Sequence, residues 1–218
     1  AGLATDKGRY VIGEPVTVSF SSGPGNPRDW IGIYRPDMAP GEQGSLIRVY
    51  VNGSATAGDG LFDGSVTFAN KLPAGDYVAR FFRNDGYGQL ADAAAFTVVH
   101  PPEVATGKLN HAPGEAITVR FSNGPGNPGD WISLMPLGET SSIDWAYVGG
   151  SRTPSDGLAS GTLTFADGLP DGEYRVLFLA NDGYRPLATA DFTVAGQVVP
   201  PALGFVNNGD GTITLTFE

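Results

Sequence analysis

A ten-residue phrase occurs twice in this chain and constrains it more than any other feature. Ser22-Gly23-Pro24-Gly25-Asn26-Pro27-Arg28-Asp29-Trp30-Ile31 returns 101 positions later as Asn123-Gly124-Pro125-Gly126-Asn127-Pro128-Gly129-Asp130-Trp131-Ile132. A second block, Asn84-Asp85-Gly86-Tyr87, returns as Asn181-Asp182-Gly183-Tyr184, 97 positions on. Two copies of one module of about 100 residues therefore account for most of the 218 residues. The spacing between copies shortens by four between Trp30 and Tyr50, so the first copy carries a four-residue insertion within Arg35–Ser45.

The apolar residues of each copy recur at every second position. Val16, Val18 and Phe20 alternate with polar neighbours, as do Ile117, Val119 and Phe121. Val66 and Phe68 match Leu163 and Phe165; Tyr77, Ala79 and Phe81 match Tyr174, Val176 and Phe178. This period belongs to strands with one buried face. Glycine and proline, 32 and 17 in number, fall between the apolar runs and act as turn punctuation. About seven short strands per copy predict an all-β fold of two tandem immunoglobulin-like antiparallel sandwiches. Leu72-Pro73-Ala74-Gly75-Asp76-Tyr77 and its copy ending in Tyr174 have the form of a tyrosine corner. The expected organisation is sandwich 1 over 1–99, a Pro-containing linker over 100–107, sandwich 2 over 108–195, and the start of a further β module, a hairpin-like segment, over 196–218.

Composition excludes several functions. With 23 acidic against 13 basic residues the net charge is −10, the wrong sign for phosphate backbones or anionic lipid surfaces. No cysteine is present, so thiolate chemistry and disulfides are absent. No run of apolar residues is long enough for a membrane helix. No leader sequence is recognisable, and the start at Ala1 fits a processed or excised fragment. The two histidines, His100 and His111, lie in or beside the junction, and no nucleophile elbow, zinc motif or phosphate loop occurs. The chain reads as non-catalytic.

The loop after the second strand and the loop after the sixth lie at one end of such a sandwich. Asn26, Arg28 and Asp29 are therefore expected near Arg83, Asn84, Asp85 and Tyr87. Asn127 and Asp130 are expected near Asn181, Asp182, Tyr184 and Arg185. Amides, carboxylates and phenols gathered there suit hydrogen bonds to a sugar, or oxygen ligation of calcium. The same residues also suit plain turn chemistry: glycine for positive φ, proline for fixed φ, Asn and Asp for capping. Asp59 and Asp63 hint at a calcium loop, but the second copy has Ser160 in place of Asp63. Ile31 and Ile33, with Ile132 and Leu134, mark the core face of their strand, leaving Trp30 and Trp131 to pack beneath the loops. Trp145 aligns with Arg48, which places it and Tyr147 on an outward face as sugar-stacking candidates.

The run Asn26–Tyr34, Asn-Pro-x-Asp-Trp-Ile-Gly-Ile-Tyr, resembles the Asp-Trp-Ile/Val-Gly signature of SKICH-type sandwich domains. With Asn84–Tyr87 and Asn181–Tyr184 it is also similar to accessory sandwich domains beside the catalytic domains of plant purple acid phosphatases and secreted bacterial metallophosphoesterases. The resemblance covers about residues 5–195 and implies a non-catalytic module; the second copy departs from it at Ser133-Leu134-Met135. The expectation is a monomeric, secreted or cell-surface bacterial accessory module that binds polysaccharide or positions neighbouring domains, without a required cofactor. A structural spacer array and a calcium-stabilised module are the alternatives.

Overall fold

The structure is a computed structural model that describes residues 1–69, 71–196 and 203–217. Among them there is no helix, and the chain divides into two compact units, Ala1–Pro101 and Pro102–Glu218.

Among its described residues unit 1 has eight strands: β1 (Gly2–Thr5), β2 (Arg9–Val11), β3 (Val16–Ser21), β4 (Trp30–Tyr34), β5 (Ile47–Tyr50), β6 (Gly64–Phe68), β7 (Gly75–Phe82) and β8 (Ala94–Val99). They form a three-stranded sheet, β1-β3-β6, facing a five-stranded sheet, β2-β8-β7-β4-β5. All pairings are antiparallel except β2 with β8. Unit 2 repeats this with β9 (Glu103–Thr106), β10 (Asn110–His111), β11 (Ile117–Ser122), β12 (Trp131–Pro136), β13 (Asp144–Tyr147), β14 (Gly161–Phe165), β15 (Gly172–Leu179) and β16 (Pro186–Val194). Its sheets are β14-β11-β9 and β10-β16-β15-β12-β13. Three strands against five, with the first strand split between sheets, is an immunoglobulin-like arrangement.

The alternating residues decide which face is inside. Val16, Val18 and Phe20 of β3 meet Ile31, Ile33, Ala79 and Phe81 from the opposite sheet in one apolar core. Ile117, Val119, Phe121, Ile132, Leu134, Val176 and Phe178 do the same in unit 2. Phe20 tilts onto Phe81 and Phe121 onto Phe178 at 5.3 Å between centroids in each case, so the two cores are built alike. Both tyrosine corners close. Tyr77 Oη donates to the carbonyl of Pro73 at 2.8 Å and Tyr174 Oη to that of Pro170 at 2.9 Å.

Two expectations are corrected. The segment 100–107 is not linker throughout, because Glu103–Thr106 is β9, paired in register with β11 and burying Val104. Only His100–Pro102 joins the strands; four residues with one buried apolar side chain, beside two prolines, carry too little periodicity to mark a strand in the sequence. Each unit also has one strand more than seven, since a short strand after a break pairs with the last strand in parallel. Of the segment 196–218, residues 197–202 and 218 lie outside the described residues. Residues 203–217 form a hairpin of β17 (Leu203–Asn207) and β18 (Ile213–Phe217), with Phe205, Val206, Ile213 and Leu215 exposed.

Candidate functional site

The repeated motifs close one end of each sandwich as a clasp. In unit 1 the carbonyl of Asn26 accepts from the Asp29 N–H, making a tight turn with Pro27 at its preset φ. The Asp29 carboxylate reaches back, accepting from the Asn26 backbone N–H at 2.9 Å and the Asn26 Nδ2 at 3.1 Å. Its Oδ1 also accepts from the Asn84 N–H at 3.0 Å, across to the other loop. Asn84 and Asp85 have φ of 46° and 60°, and the Gly86 N–H donates to the Arg83 carbonyl. Positive φ at both central residues is the hairpin turn whose twist matches that of the strands, and Asn and Asp tolerate it better than other side chains. Asp85 N–H donates to the Arg28 carbonyl at 2.9 Å, and Trp30 Nε1 to the Gly86 carbonyl at 3.1 Å.

Unit 2 repeats each bond. Asp130 accepts from the Asn127 N–H, Asn127 Nδ2 and Asn181 N–H at 2.9, 3.2 and 3.0 Å. Asn181 and Asp182 have φ of 43° and 58°, Asp182 N–H donates to the Gly129 carbonyl at 2.7 Å, and Trp131 Nε1 donates to the Gly183 carbonyl at 3.0 Å. Asp29 and Asp130, put forward as ligand contacts, are instead fully buried and saturated by these donors. A carboxylate in that position is the shortest side chain able to satisfy amides of both loops at once.

The supposed calcium loop is also structural. Asp63 accepts from the Ser22 N–H at 2.8 Å, and Ser160 Oγ accepts from the Asn123 N–H at 3.3 Å. One acceptor for one backbone amide is what the two positions share, so serine can stand for aspartate. Among the described residues no three Asp, Glu or His side chains gather as a metal site.

The two ends differ on the outward face of the five-stranded sheet. In unit 1 that face is sealed. Trp30, Tyr34, Val78 and Phe82 form a second small core with Met38 packed against it, and Trp30 is only 2 % exposed. Both faces of β4 are thus buried, where one was expected, because the loop 35–46 folds over it. Ser45 lies against the bare face of Gly32, and Gly41 comes up to the ring of Tyr87, which is half-exposed. Arg48 lies over the Trp30 ring, 5.6 Å from its centroid. Asp85 Oδ2 takes an ion pair from Arg28 at 2.6 Å while Oδ1 accepts from Tyr50 Oη at 2.8 Å. The Tyr50 hydroxyl first and the guanidinium second hold the Asp85 carboxyl below the usual range, and the same hydrogen bond pushes Tyr50 up.

In unit 2 the loop is four residues shorter and the face stays open. An open cleft of about 470 Å³ is lined by Trp131, Trp145, Tyr147 and Tyr184, with Asp182 and the hydroxyl-bearing run Thr140–Ser142. Neighbouring rings stand nearly perpendicular: Trp131 to Trp145 at 79°, Trp131 to Tyr184 at 84° and Trp145 to Tyr147 at 87°, with centroids 5.4–5.9 Å apart. Tyr184 is 86 % exposed. Arg152, ion-paired to Asp144, stacks on Trp145 at 4.7 Å and holds that ring in place. Tyr147 Oη donates to Asp182 Oδ1 at 2.6 Å, which pushes the phenol up. Sequence reasoning missed Ser142, whose Oγ lies 2.7 Å from that of the buried Ser133, and the part of Trp131 in the cleft. The signal lay in the shortened loop: removing four residues from one copy uncovers whatever they covered in the other.

No family model matches the chain, and no curated protein matches it. Among solved structures it is similar to a teleost fish polymeric Ig receptor ectodomain (15 % identity, TM-score 0.34, covering 89 % of this chain and 97 % of that one). It is similar also to murine CEACAM1b (13 %, 0.34, 90 % and 99 %) and to fibronectin(III)-like modules of Clostridium thermocellum CbhA (13 %, 0.33, 89 % and 94 %).

Proposed function

We propose that the chain is a non-catalytic, extracellular binding module whose second unit takes a glycan in the cleft of Trp131, Trp145, Tyr147 and Tyr184, while the first serves as a rigid spacer. The observation that carries this is the contrast between copies. One sandwich seals its outward face with a loop; the other leaves four rings, three hydroxyl-bearing residues and a carboxylate open on the same face. Sugar rings bury apolar C–H faces on aromatic platforms and pair their hydroxyls with polar groups at the edge, and the cleft offers both. The clasp supports a non-catalytic reading of the repeated motifs, since the carboxylates of Asp29, Asp130 and Asp85 are occupied by the protein's own amides, a tyrosine and an arginine. The clasp residues are the ones on which the sequence resembles accessory domains, and such a resemblance suits a module set beside other domains.

Affinity electrophoresis through a panel of soluble polysaccharides tests this. Retention on at least one is expected, lost in Trp145→Ala and unchanged in Tyr87→Ala, the sealed counterpart. Equal mobility with and without every polysaccharide would leave only the spacer role.

A further inference from the structure

The two copies differ at the cleft by more than loop length. Unit 1 supplies its own cations to this place: Arg48 over the Trp30 ring, and Arg28 paired to Asp85. Unit 2 keeps the partners of both, the Trp131 ring and the Asp182 carboxylate, and has lost both cations. Trp145 stands where Arg48 stands, and Gly129 where Arg28 stands. The cation that unit 2 does hold here, Arg152, is paired with Asp144 and stacked on the Trp145 ring, not on Trp131 or Asp182. Asp182 Oδ1 is held by Tyr147, and among the described residues no basic side chain is ion-paired with Asp182. The Arg48-to-Trp145 change adds a further aromatic wall in place of the guanidinium. An aromatic box beside a carboxylate is the chemistry that recognises ammonium groups.

We infer that the cleft of unit 2 binds a ligand carrying an ammonium group, in the glycan setting an amino sugar whose nitrogen is not acetylated. This rests on the cleft being the ligand site. The ring faces take the sugar and the Asp182 carboxylate with the Trp131 ring takes the nitrogen.

The probes are oligosaccharides of glucosamine, the same oligosaccharides N-acetylated, a neutral glucose oligosaccharide, and tetramethylammonium as a cation without a sugar. Binding is read by tryptophan fluorescence on the whole chain in mildly acidic buffer at near-physiological salt, which screens the −10 net charge. The glucosamine form is expected to bind at least about tenfold more tightly than the acetylated one, a difference of about 1.4 kcal/mol. Asp182→Asn removes that preference, whereas Asp167→Asn, an exposed carboxylate elsewhere in the unit, leaves it. Gly129→Arg restores the internal ion pair of unit 1 and weakens glucosamine binding by a similar factor. Its Cβ would stand 2.8 Å from Asp182 Oδ2, the movable end of a side chain, so an unchanged melting temperature is expected.

If acetylated and neutral oligosaccharides bind as tightly as the amine, with loss in Trp145→Ala, the ammonium inference falls and the glycan reading stands. If tetramethylammonium binds through Asp182 while no saccharide binds, the ammonium inference stands and the glycan reading falls. If no probe binds, both fall.

Discussion

The clasp makes a prediction whose size follows from its hydrogen bonds. Asp29→Ala removes the acceptor of three donors: the backbone N–H groups of Asn26 and Asn84, and the side-chain amide of Asn26. The half-exposed Asn26 amide can turn to water, but the two backbone donors lose a buried, charged acceptor. Bonds to charged groups contribute about 1.5–3 kcal/mol each, so the loss comes to about 3–6 kcal/mol. For a domain of about 100 residues, each kcal/mol lowers Tm by about 4–8 °C, giving a fall of at least about 12 °C. Asp29→Asn is no rescue. It sets an N–H₂ donor against one of these N–H donors, and a cost of about 2 kcal/mol is expected. Scanning calorimetry checks this with an internal control, since Asp130→Ala makes the same lesion in unit 2. Asp29→Ala should lower the transition of unit 1 and leave that of unit 2 in place, and Asp130→Ala the reverse. A shift below about 4 °C, or an equal shift of both transitions by either variant, would refute the assignment of the repeated aspartates to loop locking.

Three further outcomes follow from the same geometry. Tyr10 is buried and donates to Asp6 Oδ1 at 2.5 Å; burial first and that bond second push its phenol up to about 12, while the bond holds Asp6 down. Its stabilisation of unit 1 is therefore complete below pH of about 10, the ordinary tyrosine value, and is lost as pH rises toward 12, so Tyr10→Phe should flatten the alkaline limb of the unit 1 melting profile. The Asp6 contribution is present above the ordinary carboxylate range and is lost as pH falls through its depressed value, an acid limb that Tyr10→Phe also weakens. Tyr77→Phe and Tyr174→Phe should each cost about 1–2 kcal/mol by denaturant titration, because each strands a proline carbonyl at the corner. Gly60→Ala and Gly157→Ala should destabilise their units by about 3 kcal/mol, since the added methyl would sit 2.0 and 2.1 Å from the carbonyl oxygens of Gly25 and Gly126.

The fold was legible because its determinants are local and repeated. Alternation names the buried face of each strand wherever a polar face opposes it, as in β3 and β11. It fails where both faces are covered. Trp30, Gly32 and Tyr34 read as an outer face, and only the loop 35–46 folding across makes them core. Strand β9 was missed because four residues beside two prolines carry little periodicity of their own; pairing with β11 makes them a strand.

From the sequence alone came the module, its duplication, the core of each sandwich, and the meeting of the two loops that carry the motifs. These follow from period and spacing, which the chain carries along its length. Tertiary structure decided what the motifs are for. A carboxylate in a Gly-Pro-rich loop is suited to a sugar, an ion or an amide, and the choice depends on which donors arrive within hydrogen-bond reach from 35 or more residues away. In this fold they are backbone amides for Asp29 and Asp130, and an arginine with a tyrosine for Asp85. For Asp182 a tyrosine arrives and the cation does not, because position 129, where unit 1 has Arg28, is glycine.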